Sequence, residues 1–332
     1  MVCITKDSNK YILCGNCVHM CNEVQSVGAI DFAHRGADMT VSPVFRRPIA
    51  SSPCVGCDQY AAVCPTGAIM VKNNMRQVWK VLDDRETKVT VQIAPAVRVA
   101  VSREFGLPAK ENAAGFIVAA LRRLGFDEAW IQICEKHPPK LLSYISTCRS
   151  PMQMFASIIQ EETACTSSRP HVHVAVIPCT AKKFEAARDE FKTNGKPQVN
   201  FVLTTQELIR MIKEAGILFS ELTPEAVDMP FGTITGAGVI FGVTGGVTEA
   251  VIRRISSDKS PAALIALSFS GIRGMEGVKT VEIKAGERNV NIAVVSGLKN
   301  AQDLIEKIES GEMRFDFVEV MACPGGCIAG AG

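Results

Sequence analysis

Two short runs of cysteine constrain this chain more tightly than anything else in it. The first reads YILCGNCVHMC, from Tyr11 to Cys21, and the second reads CVGCDQYAAVCPTGAI, from Cys54. Both follow the spacing C-x2-C-x2-C-x3-C with one cysteine replaced: Tyr11 stands in the first place of the first run, Tyr60 in the third place of the second. Runs of this spacing hold [4Fe–4S] cubes, each cube taking three thiolates from one run and the fourth from the other. Crossing the fourth ligands assigns Cys14, Cys17 and Cys64 to one cluster, with Tyr11 at its remaining corner. The other cluster receives Cys54, Cys57 and Cys21, with Tyr60 at its remaining corner. A phenol titrates at about 10, and its oxygen is a harder ligand than the sulfur such sites prefer. Three sound ligands per cluster predict a labile fourth iron or a three-iron cluster. The alternative is a pair of tyrosines packed beside an incomplete or empty site. Cys3 and His19 are nearby spare donors, although His19 lies between two ligands on a tight loop.

The spacing also decides what the thirteen cysteines of this 332-residue chain are for. Six lie in these runs, and no basic and apolar leader precedes them, so the expectation is metal ligation in a reducing compartment rather than disulfides. The expected location is the cytoplasm. A net charge of +2 with mixed signs argues against a nucleic-acid partner. The longest apolar stretch, GAGVIFGVTGGV from Gly236, is short, glycine-rich and closed by Glu249. It reads as a buried loop and helix start, not a membrane span.

The first eighty or so residues contain little beyond the two runs that forms a core, and a unit of this kind folds around its metal. Residues 73–86 read as a polar helical connector. From Lys88 the pattern becomes α/β. KVTVQIAPAV (88–97) is a strand ending in a proline-marked turn, and NAAGFIVAALRRLGF (112–126) puts Phe116, Ile117, Ala120, Leu121 and Leu124 on one helical face. HVHVAVIPC (171–179) is a strand in which His171 and His173 alternate with valines, the pattern of an edge or half-exposed face. Thr204 and Glu207 have the spacing of a capping box. A hairpin is expected about Gly286, and FDFVEVMACPGGC (315–327) is a final strand that delivers cysteines at its C-terminal end. Ligands of open α/β sheets sit outside such strand ends, so Cys179, Cys323 and Cys327 are expected to converge between two α/β lobes. Cys148, Cys165 and the methionines of SPMQMF read as packing residues.

With ILCGNCVHMCNEVQSVGAIDF, PCTAKKFEA and EVMACPGGC in order, together with VQIAPAVRVA, STCRSPMQMF and TGAGVIFGVTGGVTEA, the chain resembles the iron-only ([FeFe]) hydrogenases from about Lys10 to its last residue. The resemblance implies an α/β fold: an N-terminal two-cluster ferredoxin-like module (1–80) plus a two-lobed α/β hydrogenase-type catalytic domain (81–332). It implies reversible oxidation of H2, with electrons passing through the clusters to ferredoxin or to a flavin/NAD subunit, and a hydrogenosome as the alternative location if the source is eukaryotic. It implies an H-cluster, a [4Fe–4S] cube joined to a two-iron centre with carbonyl, cyanide and dithiolate ligands. Carried over by motif, Cys179, Cys323 and Cys327 ligate the cube and Cys327 bridges to the two-iron centre. Lys182 donates to a cyanide, Ala94, Pro95 and Met321 line the pocket, and Ser146 matches a serine of the proton path.

Three departures qualify the likeness. The family carries a segment ending in Thr-Ser-Cys-Cys-Pro between LGFDE and EKHPP, and here LGFDEAWIQICEKHPP closes that gap near 130–135. The missing stretch holds the cube's fourth ligand, the proton-delivering cysteine and carboxylates of the proton path; Cys134 lies near the join in a context that does not match. The second departure is the tyrosine pair. The third is the ends: the chain starts just before the ferredoxin motif and stops at 332 after CIAGAG. The internal gap and the two ends together lead to the expectation of a partial or degenerate member, and a misjudged splice would also give a clean internal gap. The competing reading is a non-catalytic electron-transfer or cluster-assembly protein on the same scaffold, though NEVQSVGAIDF favours the hydrogenase branch.

Overall fold

The computed structural model describes residues 4–108, 111–131, 149–228, 240–255, 277–285 and 288–332. Cys3, Cys134, Ser146 and Cys148 lie outside the described residues. Contacts gather the chain into two compact units, one of Cys3–Met70 with Ile240–Ala331 and one of Val71–Val239.

The second unit is built on a four-stranded parallel sheet in the order Phe201–Leu203, His171–Val176, Lys88–Ile93, Glu128–Ile131. All six residues of Lys88–Ile93 are buried, as expected for an interior strand covered on both faces. Helix Ala114–Leu124 buries the expected face and also Val118 and Ala119, so it is apolar nearly all round, the mark of a core helix. Gly125 ends it in the left-handed region at φ 105°. The capping box forms at helix Thr205–Glu214: the Thr204 side chain accepts from Glu207 N–H, and the Glu207 carboxylate accepts from Thr204 N–H at 2.6 Å. The connector becomes helix Met75–Leu82, with Met75 and Val78 buried.

The histidine strand differs from expectation. His171–Val176 lies inside the sheet, between Lys88–Ile93 and Phe201–Leu203, and His173 is buried at 1% exposure. Both rings meet one hydroxyl, with Thr90 Oγ1 at 2.7 Å from His171 Nε2 and 2.8 Å from His173 Nδ1. Cys165, expected as packing, is exposed. Of the two methionines in SPMQMF, Met152 is core and Met154 is exposed.

In the first unit, Val278–Ala285 pairs antiparallel with Arg288–Ser296, the expected hairpin, and Arg288–Ser296 pairs parallel with Phe317–Met321 through helix Leu298–Glu309. The buried Glu319 carboxylate accepts from Gly245 N–H (2.7 Å), Thr248 N–H (2.6 Å) and Thr248 O–H (2.7 Å), closing the N-terminus of helix Gly246–Ile255. The cysteine-rich part has short elements only, helices Asn16–His19 and Gln59–Ala62 and hairpin Asp31–Ala33/Thr40–Ser42. Its small core comprises Cys17, Val18, Cys21, Ala29, Ile30, Val41, Tyr60 and Ile69. Among the described residues no helix is long and apolar enough to cross a membrane.

The histidine pair sets a pH dependence. Burial, with the Lys88 charge, lowers His171 to about 4, and burial, with His171 beside it, lowers His173 to about 3. Both folded values lie below the unfolded one, about 6.5, so acid favours the unfolded chain. The contribution is complete above pH 6.5 and is lost as pH falls through about 4 and 3, at up to roughly 1.4 kcal/mol per pH unit for each ring. Urea midpoints measured from pH 7.5 down to 4.5 are expected to fall, and His171→Gln/His173→Gln is expected to flatten that fall.

Candidate metal centre

The first cysteine run turns on Gly15, whose φ of 81° lets the chain double back between Cys14 and Cys17 before helix Asn16–His19 begins. The turn makes a small pocket lined by Tyr11, Cys14, Cys17 and Cys64, with Thr66 and Ala68. These are the four side chains that crossing the runs assigns to one cluster. Burial pushes the Tyr11 phenol well above its ordinary value, and the charges of Cys17, Cys64 and Cys14 push it further. Burial likewise raises Cys17. Cys64 is lowered: burial opposes its thiolate, but the backbone N–H of Ile69, the Thr66 hydroxyl and the N–H groups of Thr66 and Ala68 together outweigh it.

The second group is Cys21, Cys54, Cys57 and Tyr60. The Tyr60 hydroxyl donates to Asp58 Oδ1 at 3.1 Å and lies 3.6 Å from Cys54 Sγ. Gly56 N–H donates to Cys54 Sγ (3.4 Å) and Ala29 N–H to Cys21 Sγ (3.3 Å). Burial pushes Cys57 up to about 12, helped by the charges of Cys323, Asp58 and Cys54, and burial also raises Cys54. A bound cation inverts this balance, because it stabilises the very thiolates that burial opposes. Among the described residues no three of His, Cys, Asp and Glu close on a single ion position. A cube's thiolates each take a separate iron, and the donor set, grouped in threes with backbone N–H groups aimed at sulfur, fits that group.

The third cysteine pair follows strand Phe317–Met321. Met321 is buried and its carbonyl accepts from Gly297 N–H at 2.8 Å. The loop from Cys323 to Cys327 packs against residues 242–244 so closely that a Cβ on Gly326 would lie 2.7 Å from Thr244 N and 2.8 Å from Gly242 O. Gln59 Nε2 donates both to Cys323 Sγ (3.3 Å) and to Ala329 O (3.2 Å). Gln59 is a site residue that motif reading missed, because its partners lie more than 260 positions away.

In the other unit, Ala94 N–H donates to Val176 O at 2.9 Å, which ties the Ala94–Pro95 turn to the segment leading to Cys179. Both sit at C-terminal ends of paired parallel strands. Lys182 is almost fully buried, and its ammonium donates to Glu185 Oε2 at 2.5 Å, while Ser150 O–H donates to the other oxygen of Glu185. Sequence reading named Lys182 and passed over Glu185, although a carboxylate three positions on in a helix was the available signal. Cys179 belongs to one unit and Cys323 and Cys327 to the other.

An α/β scaffold with two interleaved thiolate groups defines an iron–sulfur redox protein. The profile of the iron-only hydrogenase large subunit, C-terminal domain, matches residues 87–129 and 128–331. The chain belongs to that family. It is 37% identical over 375 residues to the NADP-reducing hydrogenase subunit HndD of Solidesulfovibrio fructosivorans, covering 99% of this chain and 64% of that protein. It is 30% identical over 358 residues to the periplasmic [Fe] hydrogenase large subunit of Nitratidesulfovibrio vulgaris, covering 86% and 85%. It is also similar to cytosolic iron–sulfur assembly component 3 of Mus musculus, 32% over 213 residues, covering 61% and 44%. The fold matches [FeFe]-hydrogenase HydA1 from Chlamydomonas reinhardtii at a TM-score of 0.63 and 32% identity, over 79% of this chain and 84% of that one. The chain spans 64% of the length of the first two curated relatives it matches.

The buried Lys182–Glu185 pair is open to direct test. Removing one partner leaves the other charged and buried, at a cost of about 3–5 kcal/mol, whereas replacing both with apolar residues costs far less. In a double-mutant cycle, Lys182→Met and Glu185→Met are each expected to lower the urea midpoint strongly, and the double variant less than their sum.

Proposed function

We propose that this chain is the hydrogen-handling subunit of a hydrogenase, in which residues 1–80 relay electrons and residues 81–332 hold the reaction centre. What carries the reading is the meeting of Tyr11, Cys14, Cys17 and Cys64 in one pocket, the set a crossed two-cluster module needs. Cys14, Cys17 and Cys64 would hold one cluster and Cys21, Cys54 and Cys57 the other. Cys179, Cys323 and Cys327 would hold the cube of the H-cluster, with Cys327 also bridging to its two-iron part. When bound, that group supplies the interconversion of H2 with protons and electrons.

The chain's own residues bind, orient and exclude water. Lys182, already buried, would present its ammonium to a cyanide while Glu185 balances its charge. Ala94, Pro95 and Met321, all buried, would wall the cavity. Gln59, donating N–H to Cys323 sulfur, would favour the more reduced cube, whose sulfur carries more negative charge. Similarity to an NADP-reducing hydrogenase subunit supports ferredoxin or a flavin/NAD subunit as electron partner.

Turnover is expected to be weak. The family profile matches in two pieces that meet at 128–129, and the alignment to the Solidesulfovibrio protein runs over 375 positions against 332 residues here. Both support an internal shortening that removes the fourth cube ligand and the proton donor. Loss of general acid–base assistance alone costs about 10²–10⁴-fold. The second reading, a non-catalytic electron-transfer or assembly protein, draws support from the likeness to the assembly component.

The test is anaerobic reconstitution of the whole chain, followed by iron and labile sulfide analysis and EPR. Clusters are expected, and Tyr11→Cys is expected to raise bound iron and resistance to chelator. A chain without iron would overturn the proposal. Hydrogen evolution from reduced viologen is expected to be slight for this chain and to rise when a Thr-Ser-Cys-Cys-Pro segment is grafted near 130. Clusters without hydrogen evolution in the grafted chain would favour the non-catalytic reading.

A further inference from the structure

The two cysteine runs superpose position by position, and the comparison exposes a second change beside the tyrosine. Where the first run has Gly15, between Cys14 and Asn16, the second has Asp58, between Cys57 and Gln59. The backbone there is left-handed in both runs, φ 81° at Gly15 and φ 51° at Asp58. Glycine takes this conformation freely, whereas a residue with a side chain is tolerated there mainly when it is Asn or Asp. The second run has therefore lost a thiolate at Tyr60 and, two positions earlier, gained a carboxylate at a strained position.

The carboxylate is not where an ordinary surface aspartate would be. Asp58 is completely buried, at 0% exposure. It precedes helix Gln59–Ala62, yet its side chain makes no capping bond there. One phenol oxygen links it to the cluster site: Tyr60 O–H donates to Asp58 Oδ1 at 3.1 Å and lies 3.6 Å from Cys54 Sγ. Asp58 Oδ1 thus stands no farther than two hydrogen-bond lengths from a cluster sulfur, and its charge is felt at Cys54, Cys57 and Tyr60 alike. Buried carboxylates persist when they are paired or coordinate a metal, and a metal-ligating carboxylate is commonly held by a hydrogen bond from a neighbour.

We propose that Asp58 is the fourth ligand of the second cluster, its carboxylate taking the iron corner that the third cysteine of the run would hold, with Tyr60 orienting it by hydrogen bond. In the first run the position matching Asp58 is Gly15, which has no side chain to offer, so the two sites would differ: one cube closed by oxygen, one with three thiolates and an exchangeable corner. The carboxylate would bind as its anion, an oxygen lone pair going to iron, and ligation changes no oxidation state. The assignment rests on the cluster-binding reading above.

The experiment compares the full chain, reconstituted anaerobically with iron and sulfide, with Asp58→Asn, Tyr60→Phe and Asp58→Asn/Tyr60→Cys. Asparagine keeps the size of the side chain and tolerates the left-handed backbone. Asp58→Asn is expected to bind about one iron fewer per chain and to gain a three-iron EPR signal on oxidation. Tyr60→Phe is expected to keep its iron and to shift only the cluster's midpoint potential. Asp58→Asn/Tyr60→Cys is expected to recover the lost iron, which separates a missing ligand from a damaged fold. An unchanged iron count and spectrum in Asp58→Asn would overturn the assignment. So would iron loss in Tyr60→Phe, or loss in Asp58→Asn that the added cysteine does not recover. If the unmodified chain binds no iron, the cluster reading itself fails.

Discussion

The last cysteine of each run in the first unit lies against the other run. Cys64 lines the pocket of Tyr11, Cys14 and Cys17, and Cys21 lies within electrostatic range of Cys54. Neither run can finish such a site alone, so both must fold at once, with the loop and hairpin of residues 22–53 between them arranged to allow it. The apolar core beneath comprises eight residues, two of them cysteines, too little to offset the entropy of ordering such a loop-rich stretch. Burial works against the very thiolates the site needs, raising Cys17, Cys54 and Cys57. A cation among those sulfurs relieves this cost and supplies folding free energy at the same time.

The parallel strands solve a different problem. In the second unit, Lys88–Ile93 and His171–Val176 run side by side and release their chains at the same sheet end. The Ala94–Pro95 turn and the segment through Cys179 to Lys182 are thereby neighbours without any contact designed between them. The bond from Ala94 N–H to Val176 O fixes that juxtaposition. The first unit repeats the device: Phe317–Met321, parallel to Arg288–Ser296, ends at Met321 and delivers the loop of Cys323 and Cys327. There Glu319 ties the strand to helix Gly246–Ile255 through three accepted hydrogen bonds. An acceptor so fully used makes the strand and the helix start one rigid piece, on which the Gly326 turn rests.

What was legible in the sequence was local or repeated. The crossed cysteines, the capping box at Thr204 and Glu207, the hairpin and the apolar helix face all follow from spacing, and all but the crossing concern residues close in sequence. What was not legible depends on which element ends up beside which. His171 and His173 alternate with valine as a half-exposed strand would, but sheet order, which no local period encodes, puts them inside against Thr90. Glu185 shows its place only through its partners, one of which, Ser150, comes from a distant segment and donates to it. Asp58 was visible as a letter in the run, yet its meaning needed two structural facts: a left-handed backbone shared with Gly15, and complete burial.

Gln59 links two cysteine groups, because it belongs to the second cysteine run and donates to the sulfur of Cys323. The charge on Cys323 also raises the neighbouring Cys57 thiol. With a cluster on each side, as proposed above, the two sulfurs would belong to different redox groups that sense one another through this contact. An electron added to either group makes the next electron harder to place on the other, and by linkage the effect is equal in both directions. The amide partly screens that repulsion, since an N–H aimed at sulfur stabilises whichever state places more negative charge there. A relay between two such groups would therefore not need matched intrinsic potentials: one side chain, held by Ala329 O at its other bond, would adjust them against each other.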